Sequence, residues 1–418
     1  MMDFTQLLKG DNHCACGRVH KCPIDHVVIG SGAVDALTKL TEKYHHILLV
    51  ADTNTYEAQG WAVDRLLRSK IESQMIYSGE TVLVPDEDAI ASLTESVSQE
   101  TDLIIGVGSG VINDLCKYVS YQKDLPYYIV ATAPSMDGYA SNGAALILGG
   151  MKISPNARPP KAIIADTRTL KNAPMEMIQA GYGDIMGKLS CLNDWKLATL
   201  INHEYFCEKV YQLTYDTVMD LMPLAQSLQE RDESAVGVLM EALVAVGVAM
   251  SFVGNSRPAS GSEHHLSHFF EITGIVHNRP YLPHGIDVAF SAVLTAMLRE
   301  RILHEAPSLQ SFDRDYWVSQ MHRIYGPVAP GVIQLQDKLD SYQTYAKNTM
   351  DTDWNAICQC LSEAPSAAQM LQIVESVGLR YADFEAFYTE PVLADAVKWG
   401  KDLKDRYTVL WLYNGFYA

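Results

Sequence analysis

A small set of imidazoles and one carboxylate in this 418-residue chain have the types and spacing needed to hold a catalytic metal ion. In Ser262-Glu263-His264-His265-Leu266-Ser267-His268, His264 and His268 stand at i and i+4, so a helix there puts both on one face and His265 off it. His284-Gly285 comes after the Pro280–Pro283 break and just before an apolar helical stretch, Ile286–Met297. Asp184, in Gly181-Tyr182-Gly183-Asp184, supplies a carboxylate at the start of another helix. Two imidazoles and one carboxylate leave coordination positions open, as a catalytic divalent site requires and a closed structural site does not. The bland alternative is a pair of histidines satisfied inside a core, and the pair alone does not exclude it.

Two loops could hold an anionic cofactor. Gly106-Val107-Gly108-Ser109-Gly110 follows an apolar strand and opens a helix, so the backbone of Gly108, Ser109, Gly110, Val111 and Ile112 could meet a diphosphate at a helix N-terminus. Strand-to-helix turns are also glycine-rich for steric reasons alone. The turn departs from the dinucleotide fingerprint, because no third glycine follows and the ribose-binding acid, Asp52, ends an earlier strand. The second loop, Thr132-Ala133-Pro134-Ser135-Met136-Asp137-Gly138-Tyr139-Ala140-Ser141, gathers hydroxyls and an acid after another strand. Ligands of open α/β sheets sit beyond the carboxyl ends of strands, so the two loops reinforce each other. A self-stabilising Asp/Ser/Gly turn is the competing account.

The elements that must position these residues are legible from periodicity. HVVIG (26–30), HHILLVAD (45–52), SQMIYSG (73–79), DLIIGVG (102–108) and YYIVATA (127–133) read as buried strands. Between them lie the amphipathic stretches Asp35–Tyr44, Ala62–Ser69, Ala89–Gln99 and Ile112–Tyr121, which makes a parallel α/β layer. AALILGG and KAIIADT then flank a segment with room only for a hairpin or extended excursion. From Met175 onward helical periods dominate. The expectation is an α/β N-terminal domain over 1–170 and an all-helical C-terminal domain over 171–418.

Asp plus Glu outnumber Lys plus Arg by 50 to 32, a net charge of −18, which argues against nucleic acid as a partner while leaving a small anion compatible with local cations. Eight scattered cysteines suit a reducing compartment, and Met1–Asn12 lacks the basic and apolar regions of a signal peptide, so a cytoplasmic location is expected. Val236–Gly254 is apolar enough to raise a membrane span, but Glu241 interrupts it, and a buried core helix is the better account.

GVGSG, TAPSMDGYAS, GYGD, SGSEHHLSH and PHG, in this order and at about these distances, resemble the sn-glycerol-1-phosphate dehydrogenase family, part of a wider group with metal-dependent alcohol dehydrogenases, glycerol dehydrogenase and 3-dehydroquinate synthase. The resemblance implies a dinucleotide-binding domain, a helical domain and an active-site cleft between them. By it, Asp184, His264 and His284 look like the metal ligands. Asp137 and His268 match substrate-contacting positions; Gly108–Ile112, Thr132–Ser135 and Ser141 match cofactor positions.

The expected reaction is reduction of dihydroxyacetone phosphate to sn-glycerol 1-phosphate by NAD(P)H, with a divalent metal polarising the carbonyl. NAD(H) is expected over NADP(H), because a carboxylate at Asp52 accepts from a free 2′-hydroxyl and repels a 2′-phosphate. The ion would be zinc, nickel or iron. His268 is a candidate proton relay, and Lys188 and Arg257 are candidates for the substrate phosphate. A polyol dehydrogenase, a 3-dehydroquinate synthase-like lyase and a catalytically silent scaffold are the alternatives. His13, Cys14, Cys16, His20 and Cys22 could hold a second metal, but a reduced thiol patch is the default; Cys358 and Cys360 read as packing residues. The aromatic end, Tyr407–Tyr417, is expected to dock on the helical domain or on a sister subunit in a homo-oligomer.

Overall fold

The computed structural model describes residues 2–149, 151–153, 155, 157–305 and 307–417. The chain forms two compact units, Met1–Tyr182 with Pro223–Asn255, and Gly183–Met222 with Ser256–Ala418. Where the sequence pattern suggests one crossing after residue 170, the chain crosses at 182, returns at 223 and leaves again after 255.

In the first unit, strands β1 (His26–Gly30), β2 (Ile47–Asp52), β3 (Ile71–Tyr77), β4 (Leu103–Gly108), β5 (Tyr127–Ala131), β6 (Leu146–Leu148), β7 (Met151–Ile153) and β8 (Ala162–Asp166) follow one another. Six form a parallel sheet in the order β1-β8-β5-β4-β2-β3, and β6 and β7 make the antiparallel hairpin expected between AALILGG and KAIIADT. β4, β5 and β8 are buried along their whole length, because a parallel sheet carries helices on its faces. That is why their sequences are unbroken apolar runs and not alternating ones. Parallel pairing also brings the carboxyl ends of β2, β4 and β5 to one edge, beside one another.

Helices α1 (Trp61–Leu67), α2 (Glu87–Ser96) and α3 (Gly110–Gln122) fall where the amphipathic stretches place them. Asp35–Tyr44 is shorter in helix than its period suggests, with a 3₁₀ turn at Ala33–Ala36 and a single α turn at Leu37–Leu40. Helix α4 (Met175–Met186) carries the chain into the second unit, where α5 (Lys188–Asn202) begins.

The apolar stretch expected in the helical half is α6 (Glu233–Val253), and it belongs to the first unit. It is the one described helix long and apolar enough to cross a membrane, and most of that stretch is buried. It lies against the turn Asp137–Ala140: a Cβ on Gly247 would come within 2.7 Å of Ala140 Cβ, and Ser251 donates to the Ala140 carbonyl at 3.2 Å. Glu241 accepts the Met2 backbone N–H at 3.0 Å, which gives the charge inside the apolar run a partner.

The described residues of the second unit contain no strand. Its site is built from the last turn of α4, which carries Asp184 near a helix end and not at the expected helix start, and from α5, α7 (Ser262–Val276) and α8 (His284–His304); α9 (Val409–Phe416) is buried within the same unit, so the aromatic end docks there.

Candidate active site

Close helix approach brings the metal-type residues together. A Cβ on Gly183 would meet the Gly285 carbonyl oxygen at 2.5 Å and Ala289 Cβ at 2.8 Å, and one on Gly187 would meet Val288 at 2.5 Å. Glycine at both positions lets the segment carrying Asp184 lie against the start of α8, where His284 stands. The i,i+4 geometry of α7 then presents His264 and His268 to the same place: the rings of His264 and His284 are 5.1 Å apart, those of His268 and His284 5.4 Å, and those of His264 and His268 6.0 Å. Asp184, His264 and His284 each offer a ligand atom, all within 4.8 Å of one another. Asp184 and His264 are buried, while His268 and His284 are partly exposed.

The surroundings orient these groups. Glu263 accepts from His264 Nδ1 at 2.7 Å and from the Gly261 N–H at 2.9 Å, which leaves His264 Nε2 facing Asp184 Oδ1 at 3.5 Å. Ser267 Oγ is 3.1 Å from His284 Nδ1. Lys188 donates to Asp184 Oδ1 at 2.7 Å and to the Ala259 carbonyl at 3.0 Å. At the entry to α7, Asp194 accepts the Ser262 N–H at 2.7 Å, an anion on a helix N-terminus. A Cβ at Gly261 would lie 2.6 Å from that carboxylate, so glycine is required there.

Burial works against ionised Asp184, but Lys188, then His264 and His284, outweigh it and hold the carboxyl far below its usual range. For His264, burial and Lys188 favour the neutral ring; Asp184 and Glu263 overcome them and raise its pKa. The Asp184 carboxylate is thus held ionised beside an imidazole whose protonated form is favoured. A divalent ion bound there would replace that proton, since ligating histidines are neutral. The donor set, its burial and its oriented second ring nitrogen all fit such an ion.

In the first unit, the Thr132 N–H donates to the Gly108 carbonyl at 3.1 Å, tying the two strand-end loops together. Glycine at 106 and 108 has a steric reason, because Cβ atoms there would lie 2.9 Å from Cys116 Sγ and 2.6 Å from Ile112 Cβ. Gly110 is different. Its nearest neighbour would be Met136 at 3.5 Å, and Ser109, Gly110 and Val111 are partly exposed between buried Gly108 and Ile112. No side chain caps the start of α3 among the described residues, so the N–H groups of its first turn are left open to an anion. Asp52 ends β2 beside this turn and uses Oδ1 to cap the Thr55 N–H at 2.8 Å. Thr132, Ala133 and Pro134 are buried, Ser135 is partly exposed, and Asp137 is 9% exposed.

A model of the family described as iron-containing alcohol dehydrogenase matches residues 28–174. The glycerol-1-phosphate dehydrogenase (NAD(P)+) of Bacillus velezensis is 35% identical over 294 residues, 68% of this chain and 73% of that protein. The enzyme of the same name from Geobacillus thermodenitrificans is 30% identical over 403 residues, 94% of this chain and 92% of that protein. The chain belongs to the glycerol-1-phosphate dehydrogenase family. It is an NAD(P)-dependent oxidoreductase. Among solved structures, sulfoacetaldehyde reductase from Bifidobacterium kashiwanohense in complex with NAD+ matches with a TM-score of 0.60 at 13% identity, over 94% of this chain and 97% of that one, a likeness of fold.

Within this family member, the structure puts the two expected phosphate cations to other uses. Lys188 is fully buried on Asp184 and Ala259. Arg257 is 1% exposed and spends Nε and Nη2 on the Glu204 carboxylate at 2.7 and 2.6 Å, with the Tyr407 carbonyl at 2.8 Å. Ser141 binds within its own loop, to the carbonyls of Gly138 and Gly143 at 3.0 and 3.1 Å. Three residues escaped the sequence reading: Glu263 and Asp194, described above, and Lys117. Lys117 is fully buried and donates to the Gly138 and Gly143 carbonyls at 2.8 and 2.9 Å and to Ser141 Oγ at 3.1 Å, holding the loop that carries Asp137. Its signal was available as Asp114 three residues before it on α3.

Proposed function

We propose that this chain reduces dihydroxyacetone phosphate to sn-glycerol 1-phosphate, preferring NADH to NADPH. The convergence of Asp184, His264 and His284 in a chain of this family carries the reading. A divalent ion held by those three would supply Lewis acidity toward the substrate carbonyl oxygen. The amides of Gly108, Ser109, Gly110, Val111 and Ile112, with Thr132–Ser135 beside them, would hold the diphosphate of a reduced nicotinamide, which would supply hydride to the substrate.

The chain's own residues do the remaining work. Glu263 keeps the proton of His264 on Nδ1 and so turns Nε2 toward the ion. Lys188 is a positioning residue that holds Asp184. His268, partly exposed, edge-on to His264 and tilted against His284, would donate a proton from its ring to the oxygen on C2. Asp137 contacts the substrate from the loop that Lys117 fixes. With Lys188 and Arg257 committed elsewhere, they have no part in holding the phosphate. Absence of any disulfide among the eight cysteines supports a cytoplasmic location.

The test follows NADH oxidation by the purified, metal-loaded protein with dihydroxyacetone phosphate or dihydroxyacetone, with the hand of the product determined. Faster turnover of the phosphorylated ketone to the sn-1 product supports the reading. A higher kcat/KM for the free ketone makes the protein a polyol dehydrogenase, and no NADH oxidation with either favours a lyase.

A further inference from the structure

The first unit holds a cluster that the dehydrogenase chemistry leaves unused. Asp11 and His20 form an antiparallel bridge, with the Asp11 N–H on the His20 carbonyl at 3.0 Å and the His20 N–H on the Asp11 carbonyl at 2.8 Å. The bridge closes the loop between them, and the Gly17 N–H on the Cys14 carbonyl at 3.0 Å makes a tight turn at its tip. Gly10 sits at φ +68° with the His20 carbonyl where a Cβ would stand, so glycine is required at the base of the loop. Cys14, Cys16 and His20 are folded onto one point: each offers a ligand atom, and these atoms lie within 4.8 Å of one another. Cys16 Sγ is 3.3 Å from His20 Nε2.

The histidine is oriented as a metal ligand would be. His20 is 1% exposed, and its Nδ1 lies 2.9 Å from the carbonyl oxygen of Phe252, near the end of α6. A carbonyl can only accept, so Nδ1 carries the proton and Nε2 turns its lone pair toward Cys16. A ligating histidine is oriented in this way by its second nitrogen. The other members of the sequence cluster go elsewhere. His13 is exposed, and Cys22 has its thiol raised by burial despite a bond to Ser251.

Two thiols and an imidazole gain little from one another as neutral groups, because sulfur is a weak donor and a weak acceptor. The loop around them has few buried residues to order it. Two thiolates and an imidazole are by contrast a soft donor set for zinc and fill three of the four positions of its tetrahedral geometry. We propose that Cys14, Cys16 and His20 supply three ligands to a zinc ion, separate from the Asp184/His264/His284 centre, which orders the N-terminal loop ahead of β1 and, through His20 and the Phe252 carbonyl, ties it to α6. Binding releases the two thiol protons and involves no redox step.

The test uses the full chain. His264→Ala empties the catalytic centre, and elemental analysis should then find about one zinc per chain, lost when Cys14→Ser and Cys16→Ser are added. Because those serines could impair folding, a second measurement uses the intact wild type loaded with cobalt. The Asp184/His264/His284 set contains no sulfur, so a near-ultraviolet thiolate-to-cobalt charge-transfer band cannot come from the catalytic centre, and its loss in Cys16→Ser assigns it to the loop. Cys16→Ser should lower that band and make the segment around Arg18 and Lys21 a faster tryptic target, with kcat in the metal-loaded enzyme unchanged. A folded His264→Ala chain without zinc, or a cobalt-loaded wild type without the thiolate band, would overturn the proposal.

Discussion

Glu263 and His264 are neighbours in sequence and bonded to each other in space, with Glu263 Oε1 2.7 Å from His264 Nδ1. Adjacent residues on a helix do not normally face each other, but Glu263 sits in the first turn and bends back to the Gly261 N–H. The metal-type ligand thus carries its own orienting carboxylate. Loss of such a partner typically weakens metal binding about 10- to 100-fold, and Glu263→Ala should do so, with Glu263→Gln losing less because its amide oxygen still accepts from Nδ1. Competition with a metal-sensitive dye would measure both; equal affinity for Glu263→Ala and the wild type would remove Glu263 from the site.

His265 separates position from proximity. It is fully buried, neither ring nitrogen has a hydrogen-bond partner among the described residues, and burial, then Arg406, Lys404 and Arg257, keep the ring neutral. His264→Ala should strip the metal, whereas His265→Leu should keep normal occupancy and shift stability by no more than about 1.5 kcal/mol. Metal content and thermal unfolding of the two variants decide it, and equal metal loss in both would mean that the ligand register is misplaced.

Such details separate what one sequence reveals from what it hides. The strands were legible because burial on both faces leaves unbroken apolar runs, as in LIIGVG and YYIVA. The convergence of His264 and His268 was legible because helical period alone puts them on one face. The placement of α6 was not, since an apolar helix does not state what it packs against; Gly247 and Ser251 answer that only through contacts with Ala140. Nor did the sequence show that Lys188 is buried. Four residues after Asp184, it reads equally well as an exposed cation or as the partner the structure reveals.

Cofactor preference should follow Asp52. Its Oδ1 is engaged by Thr55, so the cap holds the carboxylate at the end of β2 beside the 106–110 turn. Asp52→Asn keeps a capping oxygen and removes the charge. Repulsion of a 2′-phosphate at about 4 Å is worth at least about 1 kcal/mol, so the NADH-to-NADPH ratio of kcat/KM should fall about five-fold or more. A wild-type preference for NADPH would show that Asp52 does not meet the ribose.

Stability of the first unit should depend on Asp166 at acid pH. Burial acts to raise this carboxyl, but bonds from Arg168 and the Gly32 N–H outweigh it and lower its pKa. A depressed folded pKa means the contribution is complete above the ordinary value of about 4 and disappears as pH falls through the folded value. Asp166→Asn should therefore cost about 1–2 kcal/mol near neutrality, and the difference should shrink toward pH ~3. Urea unfolding across that range tests it, and a pH-independent difference would assign the loss to packing.

Metal removal should expose the role of Lys188. Its ammonium and the Asp184 carboxylate are both fully buried and 2.7 Å apart. Deleting one partner of a buried pair typically costs about 3–5 kcal/mol, because the other charge is left uncompensated. In Lys188→Met the carboxylate loses its nearest cation when the ion is absent, whereas a bound divalent cation supplies the missing charge directly. The variant should therefore lose more stability after chelation than when metal-loaded, widening the Tm gap between the two forms beyond that of the wild type. Its metal affinity should fall as well, through loss of the contact that fixes Asp184. If Lys188 instead served the substrate phosphate, Lys188→Met would leave that gap unchanged and raise KM for the phosphorylated ketone alone, so calorimetry with and without metal, set beside the kinetics, separates the two roles.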